Sequence, residues 1–372
     1  MNIGIIDADL LDNGTRHPNL ALMKISGYMK EMGHDTSLLL NYNDVYNYEK
    51  IYMSKVFSFT DVPLDYRQFP DIEYGGTGFF EDGGENLPQD IEHHMPDYQL
   101  YDPYIAAKVA QGAKPNTYSD YVDYSIGFTT RGCFRKCDFC VNKKYNHVFR
   151  HSPLTEFLDK NRKYIYLWDD NIMGYNKWHE VFDELEATGK YFQFRQGLDI
   201  RLMTDEKAKR LKTLKYKGDF IFAFDHIQDK ELIQSKLKLW RKHINKTTKL
   251  YVLCSFDSTN TYDETFWVSD IINTFERIKI LMQFGCLPYI MRYERYKTSP
   301  YRGMYINLGR WCNQPNIFKK MSFNNFVDRN QELAKTPRPC SAKRYADSFR
   351  LRYPNVAQKY YDLRFEDLNQ YK

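Results

Sequence analysis

The stretch TTRGCFRKCDFC at residues 129–140 places three of the seven cysteines within eight residues, at the spacing CxxxCxxC. Cysteines clustered this closely in a chain without an export signal indicate metal binding in preference to a disulfide framework. Thiolates of Cys133, Cys137 and Cys140 can hold three irons of a 4Fe–4S cubane and leave the fourth iron open for a ligand. A structural zinc site is the alternative, and His147 is the nearest candidate for its fourth ligand.

Basic side chains surround this motif, and they favour the thiolate form of cysteine that a metal requires. They are Arg131, Arg135, Lys136, Lys143 and Lys144. The remaining cysteines are scattered, without the close pairs that a second cluster uses, so we expect them to be small buried apolar residues. They are Cys254, Cys286, Cys312 and Cys340.

Six short apolar runs, the first of them leading into the cysteine motif, alternate with stretches of helical pattern. The predicted strands are 125–130, 163–168, 191–195, 219–224, 249–256 and 286–292. The predicted helices between them are near 153–161, 176–187, 204–214, 229–244 and 268–284. This alternation predicts an α/β fold in which six parallel strands curl into an open, partial barrel over about 121–296. Ligands of such barrels bind at the carboxyl ends of the strands.

The first 120 residues predict a smaller parallel α/β domain, because strand, helix and strand follow one another as in a βαβ unit. The predicted elements are strands at 3–8, 36–40 and 50–57 and a helix that begins at Pro18. Residues 60–120 are predicted to be rich in loops. Within them, Gly75-Gly76-Thr77-Gly78 indicates a tight turn in preference to a ligand-binding loop. Residues 297–372 are predicted to be a helical C-terminal extension.

The cysteine segment resembles the signature of the radical S-adenosylmethionine superfamily in strand position, in spacing and in Arg131-Gly132 before the first cysteine. Phe139 stands where that superfamily has an aromatic residue near the adenine. The whole chain is also similar to a bacterial and phage group of such proteins, in which a short α/β domain precedes the barrel. The shared phrases are PNLALMK at 18–24 and QGLDIR at 196–201. The resemblance implies a 4Fe–4S cluster and S-adenosylmethionine as cofactors, and an electron donor of the flavodoxin or ferredoxin type.

The same resemblance implies an activity and a set of ligand-binding residues. The activity is reductive cleavage of S-adenosylmethionine to a 5′-deoxyadenosyl radical, which acts on a substrate that the sequence does not identify. Asp169 and Asp170 stand where the superfamily has a Gly-Gly-Glu-like segment that holds the methionine ammonium, and a helix N-cap is the alternative. Gln196 and Asp199 are expected at the ribose hydroxyls or the methionine carboxylate, and Arg201 at that carboxylate.

The N-terminal domain resembles the cobalamin-binding domain that precedes many radical barrels. It lacks the DxHxxG pattern that supplies an axial histidine, so we expect a degenerate domain without cobalamin. Two other functions stay open at this point. One is a cobalamin-dependent radical methyltransferase, which bound corrin would reveal. The other is a non-catalytic iron–sulfur protein that senses redox state or binds a partner, which would bind the cluster without turnover.

Composition and charge limit the remaining classes. Apolar residues make up 42% of the chain, its mean hydropathy is −0.66, and no apolar run approaches the roughly 18 residues of a membrane segment. The N-terminus lacks the pattern of an export signal, so a cytoplasmic protein is expected. The net charge of +5 belongs entirely to residues 335–372. Packing of the aromatic residues in this tail is favoured over nucleic-acid binding. These residues are Tyr345, Phe349, Tyr353, Tyr360 and Tyr361.

Overall fold

Residues 1–15, 17–80 and 83–371 are described by the structure, a computed structural model of the chain. The chain divides into two compact units. Unit 1 comprises Met1–Gln196 with Lys215–Lys217, and unit 2 comprises Gly197–Leu214 with the chain from Gly218 onward. Each unit has parallel sheet of its own.

The strands and helices of unit 1 mostly follow the predicted order. They are β1 (Asn2–Asp7), α1 (Ala8–Asn13), α2 (Leu20–Glu31), β2 (Asp35–Leu38), β3 (Lys50–Ser54), β4 (Ile72–Gly75), α3 (Gln89–Glu92), α4 (Asp102–Ala110), α5 (Ser119–Val122), β5 (Tyr124–Gly127), β6 (Thr130–Arg131), β7 (Phe149–Arg150), β8 (Tyr164–Leu167), α6 (Trp178–Ala187) and β9 (Tyr191–Phe194). The helix predicted at 153–161 is wrong, since only the 3₁₀ turn Leu154–Glu156 forms there. The chain leaves the helical path because the backbone N–H of Asp159 donates to the hydroxyl of Ser125.

The first four strands form one parallel sheet in the order β2-β1-β3-β4. Its centre is apolar, because Ile3, Ile5 and Ile6 of β1 are fully buried. Asn19 caps the start of α2 with its side chain. The predicted βαβ order is therefore confirmed. Strand β4 lies in the region predicted to be loop, and its signal is weak because Ile72 is the only one of its four residues that is buried.

The glycine-rich turn after β4 packs closely on the segment that follows β3. A Cβ on Gly76, whose φ is +104°, would lie 2.4 Å from the carbonyl oxygen of Lys55. Asp9 fixes the same segment, since its carboxylate accepts hydrogen bonds from the backbone N–H of Val56 and the hydroxyl of Thr60. Glycine is therefore used here for the close approach of two backbones.

Strands β5, β8 and β9 form a second parallel sheet of unit 1, in that order. One face packs on α6, where the ring centroid of Phe182 lies 6.1 Å from that of Phe194. Tyr124, Ile126 and Tyr166 form an apolar cluster on the opposite face, because side chains alternate between the two faces of a strand. The strands β6 and β7 pair separately as an antiparallel hairpin.

Unit 2 continues the alternation and ends in helices. Its elements are α7 (Asp205–Thr213), β10 (Phe220–Ala223), α8 (Lys230–Arg241), β11 (Thr248–Cys254), α9 (Glu264–Gln283), β12 (Leu287–Arg292), α10 (Arg302–Cys312), α11 (Pro315–Phe318), α12 (Phe323–Ala334), α13 (Ser341–Arg352), α14 (Pro354–Tyr360) and α15 (Phe365–Leu368). The strands form one parallel sheet in the order β10-β11-β12. Thr204 caps α7 by accepting a hydrogen bond from the backbone N–H of Lys207, as the sequence predicts.

The α/β class with parallel sheets is confirmed. All six strands predicted for the barrel are present, three in each unit, and residues beyond β12 are helical as predicted. The division into domains at 1–120, 121–296 and 297–372 stays a prediction. Among the helices of the described residues, none is both long and apolar enough to cross a membrane.

The aromatic residues of the tail are engaged in packing within unit 2. Phe349, Tyr360 and Tyr361 are at most 2% exposed. Tyr345 lies against Gly303, where an added Cβ would fall 1.9 Å from its ring. These rings serve the core of unit 2, which is the interpretation that the sequence favours.

Three of the four scattered cysteines are buried, as expected: Cys254, Cys286 and Cys312. Burial raises the pKa of the Cys286 thiol to about 11, so it stays protonated and behaves as a small apolar group. Cys340 is half-buried, and the expectation is wrong for this residue.

Candidate functional site

The cysteine motif lies in a loop that is closed by the hairpin of β6 and β7. Thr130 pairs with Arg150, and Arg131 pairs with Phe149. At the start of the loop, Gly132 has a φ of +89°, and an added Cβ would lie 2.2 Å from the carbonyl oxygen of His147. The two ends of the loop therefore meet at a position that only glycine fits.

Two of the basic residues near the motif tie the loop to itself. The Lys136 ammonium donates to the carbonyl oxygens of Lys143 at 2.9 Å and Tyr145 at 2.8 Å. The Lys143 ammonium donates to the carbonyl oxygen of Asp138 at 3.0 Å. These hydrogen bonds fold the loop around the cysteines.

The three cysteines are half-buried thiols, and hydrogen bonds reach the sulfurs of Cys133 and Cys140. The sulfur of Cys133 accepts at 3.4 Å from the backbone N–H of Arg135 and at 3.4 Å from the side-chain amide of Asn171. The sulfur of Cys140 accepts at 3.4 Å from the backbone N–H of Asn142. Hydrogen bonds to sulfur stabilise thiolates and tune the potential of an iron–sulfur cluster, so the donor set fits such a group.

The arrangement of the three sulfurs does not by itself form a metal cage. Within the described part of the chain, no three side chains of His, Cys, Asp or Glu are gathered closely enough to hold a metal ion. A turn brings Cys137 and Cys140 together through a 2.9 Å hydrogen bond from the backbone N–H of Cys140 to the carbonyl of Cys137. The assignment of all three cysteines as cluster ligands stays a prediction.

Asp169, at the end of β8, is fully engaged at the base of the cysteine loop. Its carboxylate accepts from the hydroxyls of Thr129 and Thr130 at 2.6 Å each, and from their backbone N–H groups at 3.2 and 2.5 Å. Burial raises the pKa of Asp169, and these four hydrogen bonds oppose that rise. The carboxylate therefore fixes the strand that leads into the cysteines.

The next two residues also face the loop. Asp170 accepts a hydrogen bond from the backbone N–H of Gly132 at 2.6 Å and lies 3.6 Å from the Arg131 guanidinium. Asn171 donates to the sulfur of Cys133, while its own side-chain oxygen is buried and has no hydrogen-bond partner among the described residues. A buried acceptor without a partner is unusual, and it marks Asn171 as the group that is open to a ligand.

The other residues predicted to bind S-adenosylmethionine are placed as follows. Phe139 is half-buried in the cysteine loop, and Gln196 is exposed at the end of the first segment of unit 1. Asp199 and Arg201 belong to unit 2, where the Arg201 guanidinium lies 2.8 Å from Asp199 and 3.2 Å from Asp229. These two carboxylates already neutralise Arg201. The ligand-binding roles of all four predicted residues stay predictions.

Sequence reasoning missed the partners that hold these groups in place. Thr129 and Thr130 were part of a predicted strand, but nothing in the local pattern links them to Asp169, which is about 40 residues further on. Asn171 directly follows Asp169 and Asp170 in the sequence. A polar residue directly after two aspartates was the available signal for its role.

Comparison with known proteins gives a likeness in structure alone. No protein-family model matches the chain, and no curated protein matches it in sequence. The radical S-adenosylmethionine methyltransferase TsrM from Kitasatospora setae, with cobalamin and a 4Fe–4S cluster bound, aligns with a TM-score of 0.50 at 10% identity, over 78% of this chain and 74% of that chain. The same enzyme with tryptophan substrate and a S-adenosylmethionine analogue gives 0.48 at 11% identity, over 78% and 72%.

A further solved structure is that of OxsB, a cobalamin-dependent S-adenosylmethionine radical enzyme with aqua-cobalamin bound. It aligns with a TM-score of 0.35 at 13% identity, over 100% of this chain and 58% of that chain. At such identities a likeness shows the fold and nothing finer, and the similarity in fold rests on the TsrM alignment with a TM-score of 0.50. The chain thus has an α/β fold like that of a radical S-adenosylmethionine enzyme.

Proposed function

We propose that this chain is a radical S-adenosylmethionine enzyme whose 4Fe–4S cluster is bound by Cys133, Cys137 and Cys140. When bound, such a cluster supplies one electron that cleaves S-adenosylmethionine to methionine and a 5′-deoxyadenosyl radical. The observation that carries the proposal is the closed cysteine loop, in which hydrogen-bond donors point at the sulfurs. The likeness of the fold to that of TsrM supports it.

The residues around the loop have distinct parts in this proposal. Asp169 and Asp170 hold the start of the loop through five hydrogen bonds, so they position the cysteines. Asn171 bridges the sulfur of Cys133 and offers its free side-chain oxygen next to it. An amide oxygen accepts hydrogen bonds from an ammonium group, so we assign Asn171 to the methionine ammonium.

The first test is the cluster. The protein reconstituted anaerobically with iron and sulfide should be brown and carry about four irons per chain, as a cubane requires. Changing Cys133, Cys137 or Cys140 to alanine should abolish the colour. Cys254→Ala and Cys312→Ala are the matched controls, because both cysteines are buried in unit 2. Loss of iron in the controls but not in the three loop variants would refute the assignment.

The second test separates an enzyme from a non-catalytic cluster protein. With dithionite and S-adenosylmethionine, the reconstituted protein should release 5′-deoxyadenosine, whereas a redox sensor would keep its cluster and form none. Asn171→Ala should weaken S-adenosylmethionine binding at least about tenfold, since a hydrogen bond to a charged group contributes roughly 1.5–3 kcal/mol. The iron content of this variant is measured in parallel, so that a lost cluster is not mistaken for lost ligand binding.

A cobalamin-dependent radical methyltransferase is the second candidate, because the TsrM structure contains cobalamin. In this chain the segment after β3 is held at the carboxyl edge of the N-terminal sheet by Asp9. We expect hydroxocobalamin to keep its free spectrum when it is titrated with the protein. A tight stoichiometric complex would establish the second candidate in place of the first.

A further inference from the structure

A polar network lies on the face of the β5-β8-β9 sheet that is turned away from α6. Its centre is His17, which precedes α2. His17 Nδ1 lies 2.9 Å from a carboxylate oxygen of Asp120, and His17 Nε2 lies 2.9 Å from the guanidinium of Arg195. The hydroxyl of Tyr166 donates to the other oxygen of Asp120 at 3.0 Å. All four residues belong to unit 1.

The two nitrogens of the His17 ring face groups of opposite charge. A guanidinium only donates hydrogen bonds, so Nε2 accepts from Arg195, and Nδ1 is the nitrogen that faces the carboxylate of Asp120. Burial alone would raise the pKa of Asp120, but the contacts with His17 and Tyr166 outweigh it and the pKa lies below its usual value. Asp120 and Arg195 therefore lie at opposite nitrogens of the His17 ring, and no direct ion pair joins them.

Arg195 is a half-buried cation, and Asp120, the carboxylate that acts on it electrostatically, lies across the ring of His17. Its guanidinium lies 4.7 Å from the ring centroid of Tyr166 and donates to the side-chain oxygen of Gln193 at 3.3 Å. Within the described residues, no carboxylate lies within ion-pair distance of it. A guanidinium held against an aromatic ring presents its N–H groups in a fixed fork, which matches a carboxylate or a phosphate.

A second donor belongs to the residue that follows Leu167, whose carbonyl oxygen accepts a 2.8 Å hydrogen bond from the backbone N–H of Arg195. The indole N–H of Trp168 is buried and has no hydrogen-bond partner in the described chain. Its ring stands edge-on to His17, with centroids 5.5 Å apart. A buried N–H without an acceptor destabilises the protein by about 1–3 kcal/mol, so its presence calls for a function. Trp168 and Arg195 together lack an acceptor that carries negative charge.

We propose that Arg195 and Trp168 form a binding site for an oxyanion, a carboxylate or a phosphate, on the substrate of this protein. Trp168 stands two residues before Asp170, which holds the backbone of Gly132 beside Cys133. The assignment of the oxyanion to a substrate rests on the proposed function, whereas the anion site itself does not.

The test uses the full chain with sodium acetate and sodium phosphate as probes, at constant ionic strength set with sodium chloride. Tryptophan emission and the midpoint of thermal unfolding should both change saturably with one probe. Arg195→Gln should weaken that binding at least about tenfold, and Arg195→Lys should be intermediate, because it keeps the charge and loses the fork. Trp168→Phe should weaken the effect on the thermal midpoint by a few-fold.

Arg150→Gln is the matched control, because that arginine is also half-buried in unit 1 but is already paired with Glu184 at 2.6 Å. It should leave the affinity for the probe unchanged. Circular dichroism of each variant identifies any that does not fold. If Arg195→Gln does not fold, the affinity of Arg195→Lys for the probes tests the proposal. Tighter binding of phosphate would indicate a phosphorylated substrate, and tighter binding of acetate a carboxylic acid.

Three outcomes would overturn the proposal. In the first, neither probe has a saturable effect. In the second, Arg195→Gln and Arg195→Lys bind the probes as the wild type does. In the third, Arg195→Gln loses as much affinity for S-adenosylmethionine as it loses for the probe. The last outcome would assign the site to the carboxylate of S-adenosylmethionine itself. Since the probe titrations need no cluster, a failure here is distinguishable from a failure of the proposed function, which shows as missing iron or missing 5′-deoxyadenosine.

Discussion

Replacing Gly132 with alanine tests whether the two ends of the cysteine loop meet as the structure describes. The new Cβ would lie 2.2 Å from the carbonyl oxygen of His147 and 3.0 Å from the Cβ of Tyr145. Non-bonded heavy atoms prefer separations of roughly 3.5–4.0 Å, so the backbone at His147 would have to move by more than about 1 Å. That movement would spread the base of the loop that carries the cysteines.

The magnitude has two parts. An alanine at a φ of +89° adds backbone strain of about 1–3 kcal/mol. Forcing a methyl group into a space already filled by a backbone adds about 1–3 kcal/mol more. We therefore expect Gly132→Ala to lower the free energy of unfolding by about 2–6 kcal/mol.

A control in the same unit separates the two parts. Gly112 has a φ of +93°, and nothing lies within 4 Å of the position its Cβ would take. Gly112→Ala therefore carries the backbone strain without the collision. In urea unfolding, Gly132→Ala should be less stable than Gly112→Ala by about 1–3 kcal/mol. After anaerobic reconstitution, Gly132→Ala should also hold clearly less iron, and Gly112→Ala as much as the wild type.

The comparison has a clear refuting result. If the two variants are equally stable and both bind the full complement of iron, the close approach of Gly132 and His147 does not exist. If Gly132→Ala is destabilised but binds iron normally, the approach is real and the loop does not carry the cluster ligands. The two readouts therefore test the geometry and its function separately.

Three further predictions concern other parts of the chain. Asp169→Ala leaves two buried N–H groups without acceptors, so we expect unfolding in urea to become easier by roughly 2–6 kcal/mol and iron to be lost; retained iron would contradict a positioning role. Burial raises the pKa of Asp7 from 3.8 to about 6, so its stabilising contribution is present below pH 3.8 and is lost as the pH rises through 6. Between pH 4 and pH 7, the free energy of unfolding of Asp7→Asn should rise by about 3 kcal/mol relative to that of the wild type. If the free energies of unfolding of the two proteins change with pH in parallel, this prediction is refuted. Because the rings of the tail are packed, we expect the tail not to bind nucleic acid. In a gel shift at low salt, Arg350→Gln and Arg352→Gln should therefore behave as the wild type does, and a loss of binding in these variants would contradict this.

The strands and most helices could be predicted because their signals are local. Apolar runs of four to seven residues locate all six strands of the two three-stranded sheets β5-β8-β9 and β10-β11-β12, and Thr204 locates the start of α7. The failures have a physical cause as well. Strand β4 buries a single residue, and the helix predicted at 153–161 is ended by a hydrogen bond to Ser125, a residue more than 30 positions away.

The candidate site was predictable where its residues are neighbours in sequence or follow the end of a predicted strand. Cys133, Cys137 and Cys140 form a motif because one loop carries them. Arg195 and His17 are 178 residues apart in the chain, and neither has a neighbour that indicates the contact. Their roles become visible only once the fold places them on one face.

The structure also changes what the acidic strand end means. Asp169 and Asp170 suggested an anionic pocket for a cationic ligand, but their oxygens accept five hydrogen bonds from the start of the cysteine loop. A carboxylate engaged in this way contributes position and little free charge to a ligand. Among the described residues, the groups that can still meet a ligand include the side-chain oxygen of Asn171 and the indole N–H of Trp168, which have no hydrogen-bond partner, and the guanidinium of Arg195, which has no ion-pair partner. One acceptor beside the cysteines and two donors that follow β8 and β9 suit one ligand with an ammonium group and another with an oxyanion, which is why we expect an acidic substrate and not a basic one.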